Sequence, residues 1–166
     1  MTRVAVFGGS FNPPHVAHVL ACALVRSTED VDAVLVVPTF QHPFAKMLAP
    51  FDDRVTMCEL AMGWLPGVSV SRVEAELGGE SRTLRTLETL SRQHPDWALR
   101  LVIGADILSE APRWFGFDAI VKLAPPIVLG RRGVPGERGE RHPPALLPEV
   151  SSTQVRAAIA RGAWSE

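Results

Sequence analysis

The sequence predicts an α/β fold: a doubly wound, parallel, five-stranded sheet. Five short runs are almost continuously apolar, as strands buried on both faces must be. The stretches between them carry helical spacing, which gives an alternating strand-helix order and right-handed crossovers. At 166 residues and 46% hydrophobic, the chain can bury one sizeable core, so a single domain over 1–166 is expected.

Taken in order, Val4-Ala5-Val6-Phe7 is the first expected strand, closed by Gly8-Gly9. A helix over 16–28 follows, then Ala33-Val34-Leu35-Val36-Val37 and a helix over 51–64. The run Val68-Ser69-Val70-Ser71-Arg72-Val73 reads as a third strand because of its β-branched valines. Helical spacing returns over 83–94, the fourth strand is 99–103, a broken helical stretch spans 105–123, and Ile127-Val128-Leu129 makes the fifth strand. Gly, Pro, Arg and Glu dominate 131–148, the composition of an exposed, mobile loop, before a last helix over 152–161. In such sheets ligands bind beyond the carboxyl ends of the strands. The functional loops should therefore follow Phe7, Val37, Val73, Ile103 and Leu129.

Seventeen basic residues nearly balance eighteen acidic ones, which leaves no global field for a nucleic acid or membrane surface, only local anion sites. Cys22 and Cys58 are too few for a disulfide framework and sit in apolar surroundings, as reduced, inert core thiols do. Met1-Thr2-Arg3 runs directly into a strand, and no apolar run approaches the ~20 residues of a spanning helix. A cytoplasmic protein is the expectation.

The loop from Gly8 to His18 follows a strand and opens a helix, where backbone N–H groups and the helix dipole favour phosphate. It lacks both the G-x-G-x-x-G spacing and the G-K-[ST] ending of the common phosphate loops. His15 and His18, three apart, fall on one face of the first turn and can address one anion. Zinc is not supported, because no third or fourth ligand stands at a fitting spacing. A phosphate role and an incidental pair both stand at this point. Near the other end, Ser151-Ser152-Thr153-Gln154-Val155-Arg156 is by itself a capping box, Ser151 with Gln154. It is also a second helix start bearing hydroxyls and a guanidinium suited to phosphate.

Gly-Ser-Phe-Asn-Pro-Pro-His-Val-Ala-His over 9–18 and Ser-Ser-Thr-Gln-Val-Arg over 151–156 together resemble the two signatures of the nicotinate-nucleotide adenylyltransferase family. Between them, Thr83-Leu84-Arg85-Thr86-Leu87 resembles the family's Thr-x-x-Thr-Leu segment, and Gly104-Ala105-Asp106-Ile107-Leu108 its Gly-x-Asp-x-Leu loop, followed by Trp114. Leu129-Gly130-Arg131-Arg132-Gly133 resembles a strand ending in Arg-x-Gly, so the resemblance covers essentially the whole chain.

The resemblance implies a Rossmann-like nucleotidyltransferase fold and transfer of AMP from ATP to nicotinate mononucleotide, with Mg²⁺ held mainly by the substrate phosphates and no protein metal ligand. It implies that His15 and His18 contact ATP phosphates, and that Gly9, Ser10 and Phe11 approach the reacting phosphates through their backbone. Ser152, Thr153 and Arg156 would take the β and γ phosphates, Gly104 and Asp106 the nucleotide sugar, and Thr83 and Trp114 the acceptor ring. Trp114 favours a flat aromatic acceptor over a pantetheine arm, with a core tryptophan beside Phe115 and Phe117 as the alternative. Sister enzymes for nicotinamide mononucleotide or phosphopantetheine, and a silent nucleotide-binding protein, are the alternatives.

Four departures from the family pattern stand out. Ala17 replaces the usual Gly, and Asn12 the usual Asp. Where relatives have Pro-Pro-His-Lys after the second strand, this chain has Gln41-His42-Pro43-Phe44-Ala45-Lys46, so Lys46 as a phosphate contact shares its place with His42. Relatives also continue through a further C-terminal helical segment, which this chain is expected to lack.

Overall fold

The computed structural model describes residues 1–41, 47–105, 114–130 and 147–163. Its strands are β1 (Thr2–Gly9), β2 (Ala33–Pro38), β3 (Val68–Val70), β4 (Trp97–Gly104) and β5 (Pro126–Leu129). Its helices are α1 (Val16–Thr28), α2 (Phe51–Met62), α3 (Val73–Leu77), α4 (Thr83–Gln93), α5 (Phe117–Leu123) and α6 (Ser152–Ala160). All pairings are parallel and the strand order is β3-β2-β1-β4-β5. The chain winds outward from β1 to β3, then crosses back to lay β4 against the other edge of β1, with Val6 opposite both Leu35 and Leu101. The switch point therefore lies between β1 and β4.

Alternation along the strands divides the core into two layers. Ala5, Val34, Val36, Val102 and Ile127 pack against Ala21, Cys22 and Val25 of α1 and Cys58 and Met62 of α2. From the opposite face, Val4, Val6, Leu35, Leu101 and Ile103 meet Val73 of α3, Leu87 and Leu90 of α4 and Ile120 of α5. Burying about 25 cal/mol per Å² of apolar surface in both layers holds the helices to the sheet. Cys22 and Cys58 are unpaired and fully buried. Among the described residues, no helix is long and apolar enough to cross a membrane.

The third strand is shorter than its run of β-branched residues predicts. β3 stops at Val70, and the Val73 amide donates to Ser71 Oγ at 3.2 Å. That serine turns the chain into α3, so Val73 opens a helix instead of ending a strand. In the stretch 105–123, the described helix is α5, entered through Gly116 at φ +70°. Most of the loop over 131–148 lies outside the described residues, but Leu147, within that expected exposed segment, is 8% exposed and its amide donates to the Gly130 carbonyl. Its apolar side chain joins the core cluster under α1 and α2, which anchors this end of the segment.

Candidate active site

A cavity of about 780 Å³ opens at the carboxyl ends of the strands, within the range of small-molecule sites. Gly8 and Gly9 border it from β1, Gly104 from β4, His18 from α1, and Thr83 from α4. Helices from opposite faces thus diverge around it, as the winding requires at a switch point.

The loop after β1 is held tightly. Phe11 has φ +45°, in the left-handed region where non-glycine residues are uncommon, and its ring is 2% exposed. A Cβ on Gly9 would lie 3.1 Å from Phe11 Cζ, so glycine there lets the ring tuck beneath the loop. Gly8 has open space where a Cβ would be, and it stands on the cavity wall. Burial of the phenylalanine ring therefore maintains a backbone conformation that leaves the Gly8-Gly9-Ser10 edge open to a ligand.

A residue that sequence reasoning did not single out, Arg54, fixes this loop from below. Arg54 of α2, 1% exposed, donates from Nε to the Ala49 carbonyl and from a terminal nitrogen to the Ser10 carbonyl, both at 2.9 Å. Burial lowers its pKa, and a guanidinium stays protonated throughout. It therefore places positive charge beneath the loop after β1. Asn12 accepts through Oδ1 from the Ala49 amide at 3.0 Å. A signal for Arg54 was present, because it shares the i, i+4, i+8 stripe with Cys58 and Met62.

His15 and His18 stack with ring centroids 3.8 Å apart, so the spacing of three brings the two imidazoles together. His18 Nδ1 accepts from the His15 amide at 3.1 Å, which sets Nε2 as the proton-bearing nitrogen of a neutral ring. Phe11 meets His18 edge-on at 4.9 Å and fixes the orientation of the ring. His18 borders the cavity; His15 stacks behind it, off the wall.

The last helix closes on the same loop. Ser151 and Gln154 form the reciprocal capping box at the start of α6. Ser152 Oγ donates to the Pro13 carbonyl at 2.8 Å, and Arg156 donates to the Asn12 carbonyl at 2.6 Å and to Thr153 Oγ1 at 3.2 Å. Ser152, Thr153 and Arg156 are thus brought to residues 12 and 13 without lining the cavity. Two helix starts, far apart in sequence, offer imidazole, hydroxyl and guanidinium donors around one loop, the equipment for an extended anion.

At the other end, Thr83 and Trp114 share the cavity wall. A Cβ on Gly116 would lie 2.5 Å from Leu84 Cδ2, so glycine allows the approach to α5 to close on the start of α4. Trp114 also packs partly on the core layer beneath, as a core tryptophan would. Glu74, 9% exposed and likewise missed from sequence, accepts from Thr86 Oγ1 at 3.0 Å and from the Phe40 amide at 3.1 Å; Ser81 Oγ accepts from that amide at 2.9 Å. This network ties the loop after β2 to α3 and α4. Lys46 and Asp106, with His42, lie outside the described residues. Among the described residues, no three His, Cys, Asp or Glu side chains gather to hold a metal.

A parallel sheet with anion donors gathered at its switch point defines a nucleotide-handling α/β protein of the nucleotidyltransferase class. The cytidylyltransferase-like family model matches residues 6–158. The probable nicotinate-nucleotide adenylyltransferase of Anaeromyxobacter dehalogenans (strain 2CP-C) is 48% identical over 163 residues, covering 96% of this chain and 85% of that one. That of Myxococcus xanthus (strain DK1622) is 45% identical over 164 residues, covering 96% and 83%. This chain belongs to the nicotinate-nucleotide adenylyltransferase family. Its fold is shared by the nicotinic acid mononucleotide adenylyltransferase of Plasmodium falciparum, solved with NaAD, at a TM-score of 0.79 and 17% identity over 95% of this chain and 83% of that one.

Proposed function

We propose that this chain transfers the adenylyl group of ATP to nicotinate mononucleotide, forming deamido-NAD and releasing pyrophosphate. The observation that carries the reading is the convergence of both phosphate-directed helix starts on the loop over 9–13, through Ser152 with Pro13 and Arg156 with Asn12. The names of relatives at 48% and 45% identity support it.

In the reaction, an oxygen of the acceptor phosphate attacks the α-phosphorus of ATP in line. A new P–O bond forms as the bond between the α-phosphorus and the bridging oxygen breaks, and pyrophosphate leaves with the electron pair. Such transfers need positioning and charge stabilisation, with no protein nucleophile. The backbone of Gly9, Ser10 and Phe11 lines the path of the reacting phosphates. His18 donates from Nε2 to a phosphate oxygen, and His15 supports its ring by stacking. Ser152, Thr153 and Arg156 exchange their hydrogen bonds within the protein for the β and γ phosphates, Gly104 meets the sugar, and Thr83 and Trp114 hold the acceptor ring.

The donor set around the loop is imidazole, hydroxyl and guanidinium, which suits a metal carried by the phosphates and not by protein carboxylates. Mg²⁺ bound in that way shields the charge of the phosphates. Two buried, unpaired thiols accord with a reducing compartment, and we infer a cytosolic location.

The test is pyrophosphate release from ATP and Mg²⁺ with a panel of acceptors. Turnover with nicotinate mononucleotide is expected. Preference for phosphopantetheine would reassign the acceptor, and ATP binding without release from any acceptor would make the chain a silent nucleotide-binding protein.

A further inference from the structure

The acceptor end of the cavity holds a guanidinium with no role in the scheme above. Arg82 borders the cavity between Ser81 and Thr83, and its guanidinium carbon lies 5.6 Å from the ring centroid of Phe115, the neighbour of Trp114. It therefore bridges the two segments that carry the acceptor-side residues. Phe115 is 73% exposed, so the core does not account for its position; it serves as a platform against which the planar cation rests.

The same guanidinium donates to the Glu80 carboxylate at 3.0 Å. Both side chains are about half exposed, at 52% and 53%, and a pair this open to water contributes little. An incoming carboxylate can replace Glu80 with little loss. The wall also includes Glu74, so without Arg82 an acidic ring substituent at this end would meet two carboxylates and be repelled. An amide carries no charge to be repelled and cannot take the charge-assisted, forked pairing that a carboxylate accepts from arginine.

We propose that Arg82 is a specificity-determining residue that pairs with the ring carboxylate of the acceptor, displacing Glu80 and favouring the acid over the amide. The proposal rests on the adenylyltransferase reading above. The experiment compares kcat/KM for nicotinate mononucleotide and nicotinamide mononucleotide in wild type, Arg82→Gln, Arg82→Lys and Glu80→Gln, with melting temperatures on the same preparations. Arg82→Gln should lower the acid-to-amide ratio about tenfold, the loss of one charge-assisted pairing, chiefly through the KM of the acid. Arg82→Lys should fall between, since it keeps the charge without the fork, and Glu80→Gln should raise the ratio. High salt should erode the wild-type preference. An unchanged ratio in Arg82→Gln, or an equal loss with both acceptors, overturns the proposal. So does a wild type that prefers the amide, which leaves the adenylyltransferase reading intact, whereas a wild type inert toward both acceptors overturns that reading and this one with it.

Discussion

The Arg156 guanidinium donates to the backbone carbonyl of Asn12 at 2.6 Å, across 144 positions of sequence. One side chain thereby fastens the last described helix to the first loop and holds a cation where the terminal phosphates of ATP are placed above. Arg156→Ala should raise the KM for ATP by about ten- to a hundredfold, the worth of a charge-assisted hydrogen bond. Arg156 is exposed, so the melting temperature should change little. Steady-state kinetics with ATP varied decides it, and an unchanged KM would leave the residue as a tether only.

His18 is oriented by the His15 amide and by the Phe11 ring edge. A donor preorganised in this way acts most strongly on charge that develops during the transfer, so its removal belongs to kcat. His18→Ala should lower kcat by roughly 10² to 10³, with ATP affinity and stability much less affected. A large fall in melting temperature with near-normal kcat would instead make His18 part of the scaffold.

Trp114 lines the cavity and leans on the core layer. Trp114→Ala should weaken acceptor binding by about 0.5 to 1.5 kcal/mol beyond the lost contact area, more than it weakens ATP binding. Comparing the KM of each substrate in Trp114→Phe and Trp114→Ala separates stacking from core packing, because phenylalanine retains a ring. Equal losses for both substrates would count against stacking.

Arg54 satisfies the Ala49 and Ser10 carbonyls from a position 1% exposed. Arg54→Met should leave both acceptors without their donor and destabilise the fold by about 1 to 3 kcal/mol for each that stays dry. Arg54→Lys should recover part of that loss, since an ammonium retains charge and reaches one of the two. Urea denaturation of the three proteins checks the order; equal stability of wild type and Arg54→Met would show that water replaces the guanidinium.

Burial pushes the thiols of Cys22 and Cys58 up to about 12. Only a thiolate reacts with alkylating agents, so near pH 8 both cysteines should be protected in the native protein and react once urea unfolds it. Rapid modification of either thiol under native conditions would contradict this packing.

The sheet was legible because its strands are nearly continuous apolar runs separated by helical spacing, and β1, β2, β4 and β5 each contain their expected run. The third strand misled because the β-branched Val73 extends the run of Val68 and Val70, yet the Ser71 hydroxyl captures the Val73 amide and bends the chain into α3. Local spacing also disclosed the stacked histidines and the Ser151–Gln154 cap, since both depend on residues three apart. Arg54 and Glu74 were hidden for the opposite reason: their partners Ser10 and Phe40 lie 44 and 34 positions away, and no local pattern encodes which loop a buried charge will meet. The Arg54 stripe shows that such a charge faces inward, but not what it faces.

The joining of Ser152 and Arg156 to the loop at residues 12 and 13 has a consequence for the protein during its synthesis. On the function proposed above, the two clusters of phosphate donors leave the ribosome some 139 positions apart. A nascent chain that has already paired its central strands still presents half of its phosphate grip, and gains the remainder only when residues 151–156 have emerged and settled on the first loop. On that function, the grip on the triphosphate is therefore completed by a long-range closure of the fold, and only after residues 151–156 have been made.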